Sequence, residues 1–86
     1  MEQGNAAAQH GMGTMYRNGE GVLQDYKEAF QWFIKAADQG DANAQLSIGH
    51  MHKIGEGTPQ NREEAMRWFR KAADRGHEIA QKELSK

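Results

Sequence analysis

The sequence predicts an all-α fold: an α-solenoid of antiparallel helix pairs, with two full repeats and a C-terminal closing helix. Three observations predict it. Asn5–Gly40 aligns on Asp41–Gly76 without a gap, and 18 of the 36 positions are identical. A fixed period of roughly 20–50 residues marks a stacked array, in which each unit buries its apolar face against its neighbours. Apolar residues recur at helical spacing in both halves of each copy, with no alternating strand pattern. Glycines and capping residues punctuate both copies at the same places. The chain therefore reads as one domain, 1–86, with repeat one at 5–40, repeat two at 41–76 and a partial third repeat at 77–86. In the third, Ala80-Gln81 falls on Ala44-Gln45 and Leu84 on Ile48. Gln3-Gly4 is in register with Gln39-Gly40 and Arg75-Gly76, as the end of a preceding repeat would be.

The first helix of each repeat opens at Asn5 or Asp41, whose side chains accept bonds from free backbone N–H groups. Its apolar side is Ala8, Met12, Met15 and Tyr16, or Ala44, Ile48, Met51 and His52. Gly19 and Gly55 stop it, since glycine tolerates the left-handed C-cap conformation. Loops Glu20–Gln24 and Glu56–Gln60 follow. Asp25 and Asn61 cap the second helix, and Glu28 and Glu64 three residues on complete the pattern of a capping box. Ala29, Phe30, Trp32, Phe33, Ala36 and Ala37 carry its buried side, as do Ala65, Met66, Trp68, Phe69, Ala72 and Ala73. After Gly40 and Gly76 the next helix begins almost at once, so successive helices run antiparallel. Ile79–Ser85 is the closing helix.

Eleven basic and twelve acidic residues nearly cancel, which argues against a surface built for nucleic acid. No apolar run approaches the ~18 residues that a membrane-spanning helix needs. The N-terminus has no basic, apolar and small-residue succession, so no signal peptide is visible and the compartment stays open. The absence of cysteine removes disulfides, thiol catalysis and cysteine zinc sites. No cofactor is implied.

The pattern Ala-x-Ala-Gln-x-x-(Met/Ile)-Gly-x-Met-(Tyr/His)-x-x-Gly-Glu-Gly is followed by Asp/Asn-x-x-Glu-Ala-x-x-Trp-Phe-x-Lys-Ala-Ala-Asp-x-Gly. It closely resembles the Sel1-like repeat, a relative of the tetratricopeptide repeat. The resemblance covers nearly the whole chain and implies a right-handed superhelix of helix pairs acting as a protein-interaction scaffold. Some cysteine-rich relatives are linked to β-lactam binding or hydrolysis; this chain lacks their paired cysteines. His52 stands where the first copy has Tyr16, and Thr58 where it has Val22, so looser packing is expected in repeat two.

The shared motifs have structural readings. Trp32-Phe33 and Trp68-Phe69 face the shared alanines, as interlocking helices require. Gly19-Glu20-Gly21 and Gly55-Glu56-Gly57 follow helices and hold a carboxylate, unlike a phosphate loop. His50 and His52, two apart on a helix, point in opposed directions and cannot share an ion, so no metal site is expected. Thr14, Ser47, Thr58 and Ser85 lack any context for activation, so no catalytic residue is assigned and the chain is read as non-enzymatic.

The informative residues are those that differ between copies. On the first helix they include Ala7/Asn43, His10/Leu46, Gly11/Ser47, Thr14/His50, Arg17/Lys53 and Asn18/Ile54, and their spacing traces one helix face. By resemblance to tetratricopeptide arrays this face is concave. The candidate binding lane is His10, Thr14, Arg17 and Asn18, then Asn43, Leu46, His50 and Lys53, then Ile79 and Lys82, with Lys86 beyond. It is expected to be basic and free of Asp and Glu, and to favour an acidic peptide or a C-terminal carboxylate on a protein partner. Tyr26, Phe30 and Ile34 form a further apolar stripe whose counterparts include Arg62 and Arg70. Self-association through the array ends is the alternative role.

Overall fold

The computed structural model describes residues 5–86. Among them are five helices and no strand: α1 (Ala6–Asn18), α2 (Tyr26–Asp38), α3 (Ala42–Ile54), α4 (Arg62–Asp74) and α5 (Glu78–Ser85). The expected repeat end at Gln3-Gly4 lies outside the described residues. Each helix packs on the next in chain order, α1 on α2, α2 on α3, α3 on α4 and α4 on α5, as a one-dimensional stack requires.

The predicted stops and starts act as expected, with one difference. Asn5 Oδ1 accepts from the amides of Ala7 and Ala8, and Asp41 Oδ1 from those of Asn43 and Ala44. Gly19 and Gly55 sit in the left-handed region at φ 72° and 86° and close α1 and α3. At α2 and α4 only half of the capping box forms. Asp25 Oδ1 accepts from Glu28 N–H and Asn61 Oδ1 from Glu64 N–H. The reciprocal bond is pre-empted, because Asp25 N–H donates to the Tyr16 carbonyl and Asn61 N–H to that of His52. Those two bonds pin the start of each second helix to the end of its first.

The glutamines shared between copies are staples that the sequence reading passed over. Gln24 Nε2 donates to the Arg17 carbonyl and Gln60 Nε2 to that of Lys53, tying each loop to the last turn of its first helix. Gln45 Nε2 reaches the Ala37 carbonyl and Gln81 Nε2 the Ala73 carbonyl. These satisfy carbonyls that a helix end leaves without intrahelical partners, and they couple one repeat to the next.

The core lies at the junction of the repeats. Ala29, Phe33, Ala36 and Ala37 of α2 are buried against Ala44, Ile48 and Met51 of α3, with Phe30, Ile34, Tyr16 and Trp68 packed around them. Gly13 and Gly49 permit the close approach within each repeat: a Cβ on either would stand 2.6 Å from Cε1 of Phe33 or Phe69. The expectation of looser packing in repeat two is overturned. Ile48 and Met51 are fully buried and His52 is buried edge-on to Phe30, 5.5 Å between centroids. Their counterparts Met12, Met15 and Tyr16 are only half-buried. Position in the stack decides this: α3 has a second helix on both sides, α1 on one. Of the apolar stripe on α2, Phe30 and Ile34 pack on the core and Tyr26 stays exposed.

Candidate functional site

The lane residues fall on α1, α3 and α5 as their spacing requires, at two depths. His10, Thr14, Leu46 and His50 are half-buried. The His10 ring lies 5.4 Å from that of Phe33, and His50 stands edge-on to Phe69 at 5.2 Å. These side chains therefore also wall the helix pairs to which they belong. Thr14 Oγ1 donates to the His10 carbonyl, a bond within its own helix. Asn18, Asn43, Lys53, Ile79 and Lys82 are exposed. Asn43 Oδ1 and His77 Nε2 lie 2.7 Å apart, bridging the N-terminal ends of α3 and α5.

The lane is not free of carboxylates, and its two central cations are paired. Arg17 Nη2 lies 3.3 Å from Glu56 Oε1, off the hydrogen-bond direction. Lys53 Nζ lies 3.1 Å from Glu83 Oε1, and Lys86 Nζ 3.0 Å from Glu83 Oε2. Glu56 comes from the loop after α3, one repeat beyond Arg17, and only the superhelix brings it there. Glu83 was legible: it stands 36 residues after Ser47 and so on the same helix face.

These charges converge on His50. Its pKa is lowered from 6.5, chiefly because burial disfavours the charged ring; Glu83 opposes that, and Lys53, Arg17 and Lys86 add to it. Glu83 is held below its ordinary 4.5 by the hydrogen bond from Lys86, against the cost of burial, with Lys53 adding to the effect. Charged groups of α1, α3 and the C-terminal segment thus all act on the His50 ring.

Several other polar groups serve local structure. Lys35 Nζ lies 4.5 Å over the Trp32 ring and Lys71 Nζ 4.3 Å over that of Trp68, which accounts for both shared pairs as cation–π contacts. His50 and His52 face Phe69 and Phe30 respectively, on different second helices. Among the described residues no group of three His, Cys, Asp or Glu is placed to hold a metal ion. Ser47 and Ser85 donate their hydroxyls to carbonyls four residues back, of Asn43 and Gln81. No described helix is long and apolar enough to cross a membrane.

The Sel1 repeat model matches residues 6–41 and 42–77. A Sel1 repeat protein from Oxalobacter formigenes is similar at 41% identity and a TM-score of 0.94, over 95% of this chain and 34% of that one. A protective antigen of uropathogenic Escherichia coli displaying an SLR fold is similar at 38% identity and a TM-score of 0.93, over 96% of this chain and 18% of that one. Helicobacter pylori cysteine rich protein B is similar at 30% identity and a TM-score of 0.88, over 92% of this chain and 59% of that one. The chain thus spans a part of each of these bacterial proteins. No curated protein matches.

Proposed function

Because the chain belongs to the Sel1 repeat family, whose repeats are generally protein–protein interaction modules, we propose that it binds a protein or peptide partner, without chemistry, along the face of α1, α3 and α5. The observation that carries this reading is the lane itself. It is the face of the first helices whose chemistry changes between otherwise matched repeats, and its charged groups act on His50. Of the lane cations, Arg17 pairs with Glu56, and Lys53 and Lys86 share Glu83, while Lys82 adds a fourth positive charge, so an excess of cations remains and an acidic partner is favoured. Such a partner competes with Glu56 and Glu83 for Arg17 and Lys53.

The test is titration of an acidic peptide at low and at high salt. Binding is expected to weaken with salt and with the Arg17→Ala/Lys53→Ala double substitution. It is expected to strengthen with Glu83→Gln, which releases Lys53. Salt-independent binding that survives the double substitution removes the lane from consideration. A second reading, association of chains end to end, is favoured by the half-buried Met12, Met15 and Tyr16 on α1. It predicts a mass that rises with concentration in sedimentation.

A further inference from the structure

The fold requires glycine where α1 stops. Gly19 has φ 72°, and a Cβ there would stand 3.2 Å from Cβ of Gln24. The residue before the stop is free to vary: it is Asn18 in the first repeat and Ile54, before Gly55, in the second. Asn18 is the last residue of α1 and exposed, and no described residue bonds to its side-chain amide. The other three asparagines differ on both counts. Asn5 and Asn61 accept from backbone amides as caps, and Asn43 bridges to His77. Ala6, Arg62 and Ala44 follow them, each with a Cβ.

An asparagine followed by glycine places an electrophile beside a nucleophile with no side chain between them. The Gly19 nitrogen reaches the Asn18 Cγ once the backbone turns, because glycine adds neither bulk nor a restricted φ. The closed helix end holds it back. Gly19 N–H and Glu20 N–H both donate to the Met15 carbonyl. Gln24 Nε2 fastens the Arg17 carbonyl at 2.8 Å, and Asp25 N–H the Tyr16 carbonyl at 2.8 Å. Helical backbone at Asn18 also turns the following nitrogen away from its side chain. Exposed helix ends are among the parts of a fold that open most readily, so opening of this one turn sets the rate.

We propose that Asn18-Gly19 is a self-modification site, at which opening of the last turn of α1 lets the native chain convert the Asn18 amide into a carboxylate. The Gly19 nitrogen gives its proton to solvent and bonds to Cγ. The Cγ–Nδ2 bond breaks and ammonia leaves, which closes a cyclic imide. Water then adds to one of the two imide carbonyls. Cleavage at Cγ gives aspartate, and cleavage at the main-chain carbonyl gives isoaspartate, with the chain routed through the side chain. Either product puts a negative charge at the C-terminal end of α1, where the helix dipole favours cations. Isoaspartate also lengthens the main chain before Gly19 and so disrupts the paired bonds to Met15. A consequence that rests on the lane reading follows: the new carboxylate stands beside Arg17 and lowers the lane's cation excess. With Ile54 at the matching place, the second repeat is untouched.

The experiment keeps the full chain at mildly alkaline pH and follows intact mass, with peptide mapping that separates aspartyl from isoaspartyl products. The mass gain of an amide-to-acid exchange is expected at Asn18, and it is expected to be lost in Asn18→Ile, the residue of the second copy. Conversion is expected to run about threefold faster in Gln24→Ala, which gives up one bond of the closed turn, and faster again in guanidinium chloride. Three results overturn the proposal: no product at Asn18 in the native chain while the denatured chain converts; native and denatured chains converting at the same rate; or a mass gain retained in Asn18→Ile. The lane consequence is read separately, without waiting for the conversion. Asn18→Asp is expected to weaken an acidic peptide about threefold at low salt. Unchanged binding in that variant overturns the consequence and leaves the modification site standing.

Discussion

At Gly49 the absence of one methyl group sets the distance between α3 and α4. A Cβ there would meet Phe69 Cε1 at 2.6 Å and the Ala65 carbonyl at 3.2 Å, and Phe69, fully buried, has no room to yield. Gly49→Ala is therefore expected to cost about 1–3 kcal/mol, the usual penalty of overpacking, read as a lower urea midpoint. Gly11 offers the control within the same fold: nothing lies within 4 Å of its Cβ position, and it sits inside α1. Gly11→Ala is expected to gain about 0.5–1 kcal/mol by relieving the helix of a flexible residue. His50 supplies the pH dependence at this scale. Its folded pKa lies below 6.5, because burial disfavours the charged ring. The unfolded chain thus binds the proton more readily, and stability falls as pH drops below the unfolded value of about 6.5. Glu83, with a lowered pKa, contributes stability above its unfolded value that is lost as pH falls through its folded one. The urea midpoint measured against pH is expected to decline on the acid side of pH 6.5, with the first part of the decline flattened in His50→Thr, the residue of the first copy. An unchanged slope in that variant would count against His50 as the titrating group.

The caps separate what local sequence determines from what the stack determines. Asn5, Asp41, Asp25 and Asn61 all accept from their own helix, as their spacing requires, because a cap involves only residues within one turn. The capping-box pattern at Asp25/Glu28 was only half-informative, since the N–H that Glu28 would satisfy is taken by the Tyr16 carbonyl. Asp25→Ala is accordingly expected to destabilise by about 1 kcal/mol, and Glu28→Ala by well under half of that. Equal losses in thermal melts would restore the full box. The lane was legible as a helix face for the same local reason, yet its charge was misjudged. Glu56 approaches Arg17 from the next repeat, at a position that no periodic alignment pairs with it. Glu83 lay in plain register with Gly11 and Ser47 on the varying face, so its carboxylate was legible from the repeat alone. At α5 the cap itself is missing: His77 makes no side-chain bond to its helix and turns instead to Asn43. With Ala80 its only buried residue, α5 is expected to show the least protection of the five helices against hydrogen exchange, and α3 the most.

In the whole molecule, stability is distributed by position in the stack more than by residue type. A repeat array behaves as a sum of intrinsic repeat terms and neighbour interfaces, and the α2–α3 junction is the interface at which both sides are complete. The sequence shows Met12 and Ile48 as equivalents, and the repeat register places them correctly. What it does not show is that Ile48 is sealed between two second helices while Met12 is covered by one. Truncating a sealed side chain loses its transfer energy and leaves a cavity, whereas a half-exposed site refills with water. Ile48→Ala is then expected to cost about 2–5 kcal/mol, against about 1 kcal/mol or less for Met12→Ala. A chain of this length has a total stability of only about 4–13 kcal/mol, so the alanine change at Ile48 approaches global unfolding and is best bracketed by Ile48→Val at about 0.5–1.5 kcal/mol. Because Ile48 joins the two repeats, its loss is also expected to uncouple them: fluorescence of Trp32 and of Trp68, each isolated by replacing the other with Phe, should report separate urea midpoints in Ile48→Ala and a shared one with Ile48 retained. Coincident midpoints in Ile48→Ala would show that the repeats are coupled by something other than this junction, leaving the Gln45 staple to Ala37 as the element to remove next.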